Sequence, residues 1–155
     1  MELKDTFTLG VSFTGVVLAG IVAIKAVVEY IKQGRAKRSE IFLMMRTRLR
    51  ADPEFKKICD LLDSDSPALR DVPWIEKDRF VGFFEELAIL HNSGLLRTEI
   101  MLYMFGYFAI ECKNSQHFWG DVSKEGNLWE LFFDFAEEME RAKREFRFDR
   151  KRLVV

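Results

Sequence analysis

Two cysteines, Cys59 and Cys112, are too few and too widely spaced for a disulfide framework, so covalent staples do not hold this chain together. Their scarcity fits a reducing compartment, where both thiols act as small hydrophobic side chains. The nine glycines are scattered, and none belongs to G-x-x-x-x-G-K-[ST] or G-x-G-x-x-G, so no phosphate-cradling loop is present. There is no G-x-S-x-G, and neither cysteine has a histidine within one helical turn in sequence; nucleophilic catalysis has no signature here. The two histidines, His91 and His117, sit near acidic residues (Glu85 and Glu86, or Glu111 with Cys112) at intervals that do not place ligands on one helix face. The sequence therefore predicts no catalytic residue, no metal site and no cofactor. An excess of one charge is also lacking: Lys and Arg total 24, Asp and Glu 25. Aromatic residues do not interleave with the basic run, so no nucleic acid partner is expected. No β-alternation of useful length, internal repeat or low-complexity stretch occurs.

What is present is a charge-free apolar run. Residues 7–24, FTLGVSFTGVVLAGIVAI, contain no ionisable side chain, and Lys25 ends the run. At the helical rise this is about 27 Å, close to the hydrocarbon thickness of a bilayer. A cleaved signal peptide fits poorly, because the start MELKDTF is slightly acidic and no small-x-small site follows the run. The expectation is an outer tail at 1–6, a transmembrane helix over 7–31, a basic juxtamembrane stalk helix over 32–51, and a cytoplasmic helical domain over 52–155. Lys25, Lys32, Arg35, Lys37, Arg38, Arg46, Arg48 and Arg50 follow the run against only Glu29 and Glu40. That asymmetry predicts the N-terminus outside and the domain in the cytoplasm of an inner membrane. Gly15, Ala19 and Ala23 recur every four residues and form a candidate self-association seam. Lys32, Arg35, Lys37, Arg38, Arg46, Arg48 and Arg50 are candidate contacts for anionic lipid or for a protein partner.

Beyond the run the chain reads as helices. Asp52-Pro53-Glu54 is an N-cap, a first-turn proline and a first-turn acid, predicting a helix over about 53–63. SDSPALRDVPW (64–74) reads as a loop, and a third helix runs from Pro73 or Lys77 to Asn92, stopped by Asn92-Ser93-Gly94. Thr98 is expected to cap a fourth helix reaching Lys113, too short in its apolar part to span a bilayer. Asn127 is expected to cap a fifth. Phenylalanine is abundant, 15 residues, clustered at 80–84, 105–108 and 132–135 on three helices, and these clusters are expected to form the core. His117, Phe118 and Trp119 fall in an expected loop and form a candidate aromatic contact surface.

The pieces ADPEFKKICDLLD (51–63), RFVGFFEELAILHNSGLLRTEIMLYMFG (79–106) and the His117-Phe118-Trp119 region resemble small bacterial proteins classed as a domain of unknown function. That resemblance implies a bacterial inner-membrane protein with one N-terminal span and a helical cytosolic domain; it implies no activity and no catalytic residues. The expected fold is all-α: a single transmembrane helix continuing into a stalk, then a compact four-helix domain. The expected function is a non-enzymatic membrane-tethered interaction or regulatory module, working as a homo-oligomer or with a protein partner. The alternative is an oligomeric pore or effector assembled through the Gly15, Ala19 and Ala23 face.

Overall fold

The computed structural model describes the backbone of residues 3–120, 122 and 128–145, and side chains from Ile21 onward within them. The described chain is all-helical. Helix α1 spans Leu3–Ala51, α2 Pro53–Leu62, a 3₁₀ turn Pro67–Asp71, and α3 Trp74–Asn92. Then come α4 Thr98–Met101, a π-helical segment Leu102–Gly106, α5 Tyr107–Asn114, α6 Gln116–Trp119 and α7 Glu130–Glu145. The chain divides into two units, residues 1–37 and residues 38–155.

In the first unit, every described side chain from Ile21 to Lys37 is exposed. Ile21, Val22, Ile24 and Val27 are each more than half exposed. Of the seam residues, Ala23 is exposed, while Gly15 and Ala19 lie outside the residues whose side chains are described. Among the described residues no helix is both long and apolar enough to cross a membrane; residues 7–20, most of the apolar run, lie outside that side-chain description.

The second unit begins inside α1, at Arg38, and not at residue 52 where the domain was expected to start. The reason is a helical stripe. Ile41 and Phe42 are half-buried, and Met45 and Leu49 are buried against the core, at the spacing that one face of a helix presents. The C-terminal part of the expected stalk is thus a wall of the domain.

Local chemistry sets the remaining boundaries. Asp52 adopts extended backbone and its carboxylate accepts from the N–H groups of Glu54 (2.9 Å) and Phe55 (3.3 Å), with Pro53 in the first turn of α2. Replacing Asp52 with Ala is expected to cost about 1 kcal/mol, read as a lower urea midpoint with an unchanged m-value. Gly94 closes α3 at φ +72°, and the Leu95 N–H returns to the Leu90 carbonyl. Thr98 is not a cap: Arg97 occupies that position, without a side-chain bond, and Thr98 is the first helical residue. The expected single helix after it carries the π segment, and Gly106 ends that segment where α7 comes close. A Cβ there would stand 2.9 Å from Leu102 Cδ1 and 3.5 Å from Met139. Asn127 lies outside the described residues.

The phenylalanine clusters are the core, as expected. Phe55, Phe80, Phe83, Phe84, Phe105, Phe118 and Phe132 are fully buried. They meet edge to face, as at Phe55–Phe80 (5.4 Å between centroids) and Phe80–Phe84 (5.2 Å), the arrangement that ring quadrupoles favour. Both cysteines are free and buried.

Candidate functional site

Several of the features expected to face outward turn inward. His117, Phe118 and Trp119 form the short helix α6 instead of a loop, capped by the Ser115 hydroxyl, which accepts from the Phe118 N–H at 3.0 Å. Phe118 and Trp119 are core residues, and this corrects the expectation of an aromatic contact surface. The physical cause is the size of the rings: Trp119 packs against Trp74, Trp129, Phe132 and Phe133, with centroids 5.1–6.1 Å away. Among the described residues the Nδ1 atom of half-buried His117 has no hydrogen-bond partner.

The basic set does not act as one surface. Arg48 pairs with Glu86 of α3 and lies over the rings of Phe55 and Phe83 at 5.8 and 5.6 Å. It is a structural side chain of the domain. Arg46 is half-buried, Arg50 lines a groove with Leu49, Lys56, Cys59, Met104 and Phe108, and Lys32 and Arg35 are exposed in the first unit. Lys37 ends the first unit and Arg38 begins the second.

The feature that sequence reading missed lies at the start of α3. The 3₁₀ turn, begun by the Ser66 hydroxyl accepting from the Ala68 N–H and by Pro67, presents Arg70. Pro73 then opens α3 and places Trp74 and Lys77 one turn apart, on the same side of the helix. Opposite them, α6 brings Gln116 and Trp119, and Gly120 at φ +55° turns the chain toward Val122. These residues and Val72 enclose an open cavity of about 670 Å³.

Lys77 is 5 % exposed. Its ammonium stands 5.6 Å from the Phe118 ring centroid, and among the described residues no carboxylate or carbonyl bonds to it. Burial holds its pKa below the usual lysine value, while neighbouring Cys112 and Asp71 draw it partly back. The described lining residues include Arg70, Lys77, Gln116 and Trp74, all able to donate, and no acidic residue. Nothing in the local sequence marks this group. Only the packing of α6 on the 3₁₀ turn brings residues 70–77 and 116–122 together.

A second polar cluster joins α3 to α7. The Nδ1 atom of His91 lies 3.0 Å from the Leu96 carbonyl and Nε2 lies 2.9 Å from Glu138 Oε1. Nearby, Lys113 donates to Glu140 at 2.8 Å, which with the Asn114 amide holds the Glu140 carboxyl below its usual range. These contacts tie the ends of helices to α7 and offer no reactive geometry. Among the described residues no three His, Cys, Asp or Glu side chains converge on a metal position. The chain matches no protein-family model, no curated protein and no solved structure.

Proposed function

We propose that the protein is a non-enzymatic, membrane-tethered helical module. Residues 7–31 anchor it in an inner membrane with the N-terminus outside, and the domain that begins at Arg38 works in the cytoplasm. The observation that carries this reading is the charge-free run 7–24, whose apolar character continues past Lys25 into the exposed Val27, Val28 and Ile31. A charge-free apolar segment of this length is unfavourable in water unless something covers it. The excess of basic residues after the run, against Lys4 alone before it, supplies the orientation. The domain contributes an aromatic core and a polar cavity, which suits recognition better than chemistry: among the described lining residues no nucleophile stands beside a base.

Fractionation of cells making the full chain tests the tether. The protein is expected in the membrane pellet after an alkaline carbonate wash, and in solution only with detergent. A chain starting at Arg38 is expected in the supernatant with its helical circular dichroism retained. Full-length protein released by carbonate alone would refute the anchor.

A further inference from the structure

We propose that the cavity between the 3₁₀ turn, the first turn of α3 and α6 is a binding site for a small organic anion that carries a flat ring. The acidic group meets Lys77 and Arg70, and the ring lies against Trp74 and Trp119. This goes beyond the tether and does not depend on it, since every described lining residue belongs to the second unit.

The argument starts from Lys77. An ammonium taken out of water costs free energy unless an anion or hydrogen-bond acceptors replace the lost solvent. The Lys77 stem is buried while its head lies at the wall of the open cavity; among the described residues no acceptor bonds to the ammonium, and the Phe118 ring and the nearby Asp71 carboxylate partly offset its burial. A cation at a cavity wall with no acceptor bonded to it among the described residues is placed to meet an anionic group. Arg70 stands at the same cavity, exposed and without an ion pair among the described residues, and adds a planar fork suited to carboxylate or phosphate oxygens.

The rest of the wall selects the body of the ligand. Trp74 and Trp119 stand 6.1 Å apart at 54°, and Val72 is buried between the turn and α3. Indole faces and aliphatic walls favour a flat apolar body, while the Gln116 amide supplies one further polar contact at the rim. A volume of about 670 Å³ lies within the range of small-molecule sites and is generous for a single inorganic ion. The walls are also pre-formed: Trp119 is fixed by its indole N–H, which donates to the Cys112 carbonyl at 2.8 Å. Trp129, which packs on both Trp74 and Trp119, is fixed by donation to Asp78 at 3.1 Å. The three tryptophans of the chain meet in one cluster, two of them at the cavity wall, and report on it optically.

The test is a fluorescence titration of the purified full chain with adenosine 5′-monophosphate and with benzoate, alongside adenosine and inorganic phosphate as the separate halves. At least one charged aromatic probe is expected to change tryptophan emission saturably, with a midpoint about tenfold or more below that of either half. Lys77→Met is expected to weaken that binding about tenfold or more, and Arg70→Gln severalfold, tenfold being 1.4 kcal/mol. Lys77→Met should melt close to the parent, since it keeps the buried stem and removes a charge that no described residue hydrogen-bonds. Because Arg70 is exposed, Arg70→Gln tests the site even if the first variant were to unfold. The proposal is overturned if neither charged probe saturates below about 10 mM, which is weaker than about 3 kcal/mol of binding. It is equally overturned if both variants bind as tightly as the parent. Inorganic phosphate binding as tightly as the monophosphate would remove the ring from the proposal, and adenosine doing so would remove the anion.

Discussion

Replacing Trp119 with Ala should abolish cooperative unfolding of the domain near room temperature, or leave it with a small residue of its stability. Trp119 is 2 % exposed and is the centre of the aromatic cluster, in contact with Trp74, Phe118, Trp129, Phe132 and Phe133. Large-to-small changes of this kind cost about 3–5 kcal/mol, from lost transfer energy and the cavity left behind. A domain of this size has about 5–15 kcal/mol in total, so one substitution removes at least about a fifth of it and, at the low end of that range, most or all of it. A further loss arises because the indole N–H donates to the Cys112 carbonyl near the C-terminal end of α5, where helix carbonyls lack intrahelical partners. Trp119→Phe separates the two effects. It keeps a six-membered ring and loses the donor with part of the ring volume, so it should cost about 1–3 kcal/mol, less than the alanine change. Urea unfolding followed by far-UV circular dichroism, with the near-UV signal as a check on packing, measures both. A Trp119→Ala variant within about 1 kcal/mol of the parent would show that the cluster is not the core the burial implies.

That prediction also shows what could be read from the sequence. The Phe clusters at 80–84, 105–108 and 132–135 announce a helical core because their spacing is helical and aromatic burial is large. The start of α2 is legible from three adjacent residues, because Asp52, Pro53 and Glu54 each act within one turn of the same helix end. Trp119 is different. Its destination depends on α7 and on Trp74, which lie far from it in sequence, and a segment rich in Asn, Ser and Gly around it has the composition of a loop. Arg48 misleads for a similar reason: as a member of a basic run it reads as a surface charge, whereas Glu86 and the rings of Phe55 and Phe83 engage it from two other helices. The cavity is the extreme case. Lys77 sits one helical turn after Trp74 in a sequence that gives no sign of burial, and it becomes unusual only when α6 closes over it.

The same distinction applies to the boundary in α1. Ile41, Phe42, Met45 and Leu49 are visible as apolar positions among charges, but a stalk in solvent and a helix docked on a domain share that pattern. Burial of Met45 and Leu49 decides between them. Residues 38–51 therefore belong to the domain and are not a separate stalk. Arg48 reinforces this, because its ion pair to Glu86 clamps the docked part of α1 onto α3. The backbone at Trp129, at φ +59°, is held in a left-handed conformation that an L side chain adopts only when its surroundings fix it. The hydrogen bond to Asp78 and the contacts with Trp74 and Trp119 are that fixation.

Alkaline pH should destabilise the domain through Cys59, by up to about 4 kcal/mol if the whole shift is expressed. Cys59 is 7 % exposed on α2, and its thiol is pushed up from 9.0 to about 12, first by burial and then by the neighbouring carboxylates of Asp63 and Asp60. In the unfolded chain the thiol ionises near its ordinary value, so above pH 9 the unfolded state binds fewer protons than the folded one. Stability is then fully present below that pH and is lost as pH rises toward the folded value, at about 1.4 kcal/mol per pH unit. Tyr107, also raised by burial, acts in the same direction at higher pH, whereas Lys77, lowered by burial, gains stability as pH rises toward its unfolded value. The comparison of parent with Cys59→Ala isolates the thiol from both. At pH 8 the variant should be about 1 kcal/mol less stable, for the lost apolar volume. Between pH 9 and 11 that gap should close and then reverse, measured as urea midpoints at each pH. The same burial predicts that native protein reacts slowly with a thiol reagent such as 5,5′-dithiobis(2-nitrobenzoate), and that guanidinium releases both Cys59 and Cys112. A stability gap that stays constant from pH 8 to pH 11 would mean that the Cys59 thiol ionises in the folded protein as easily as in the open chain.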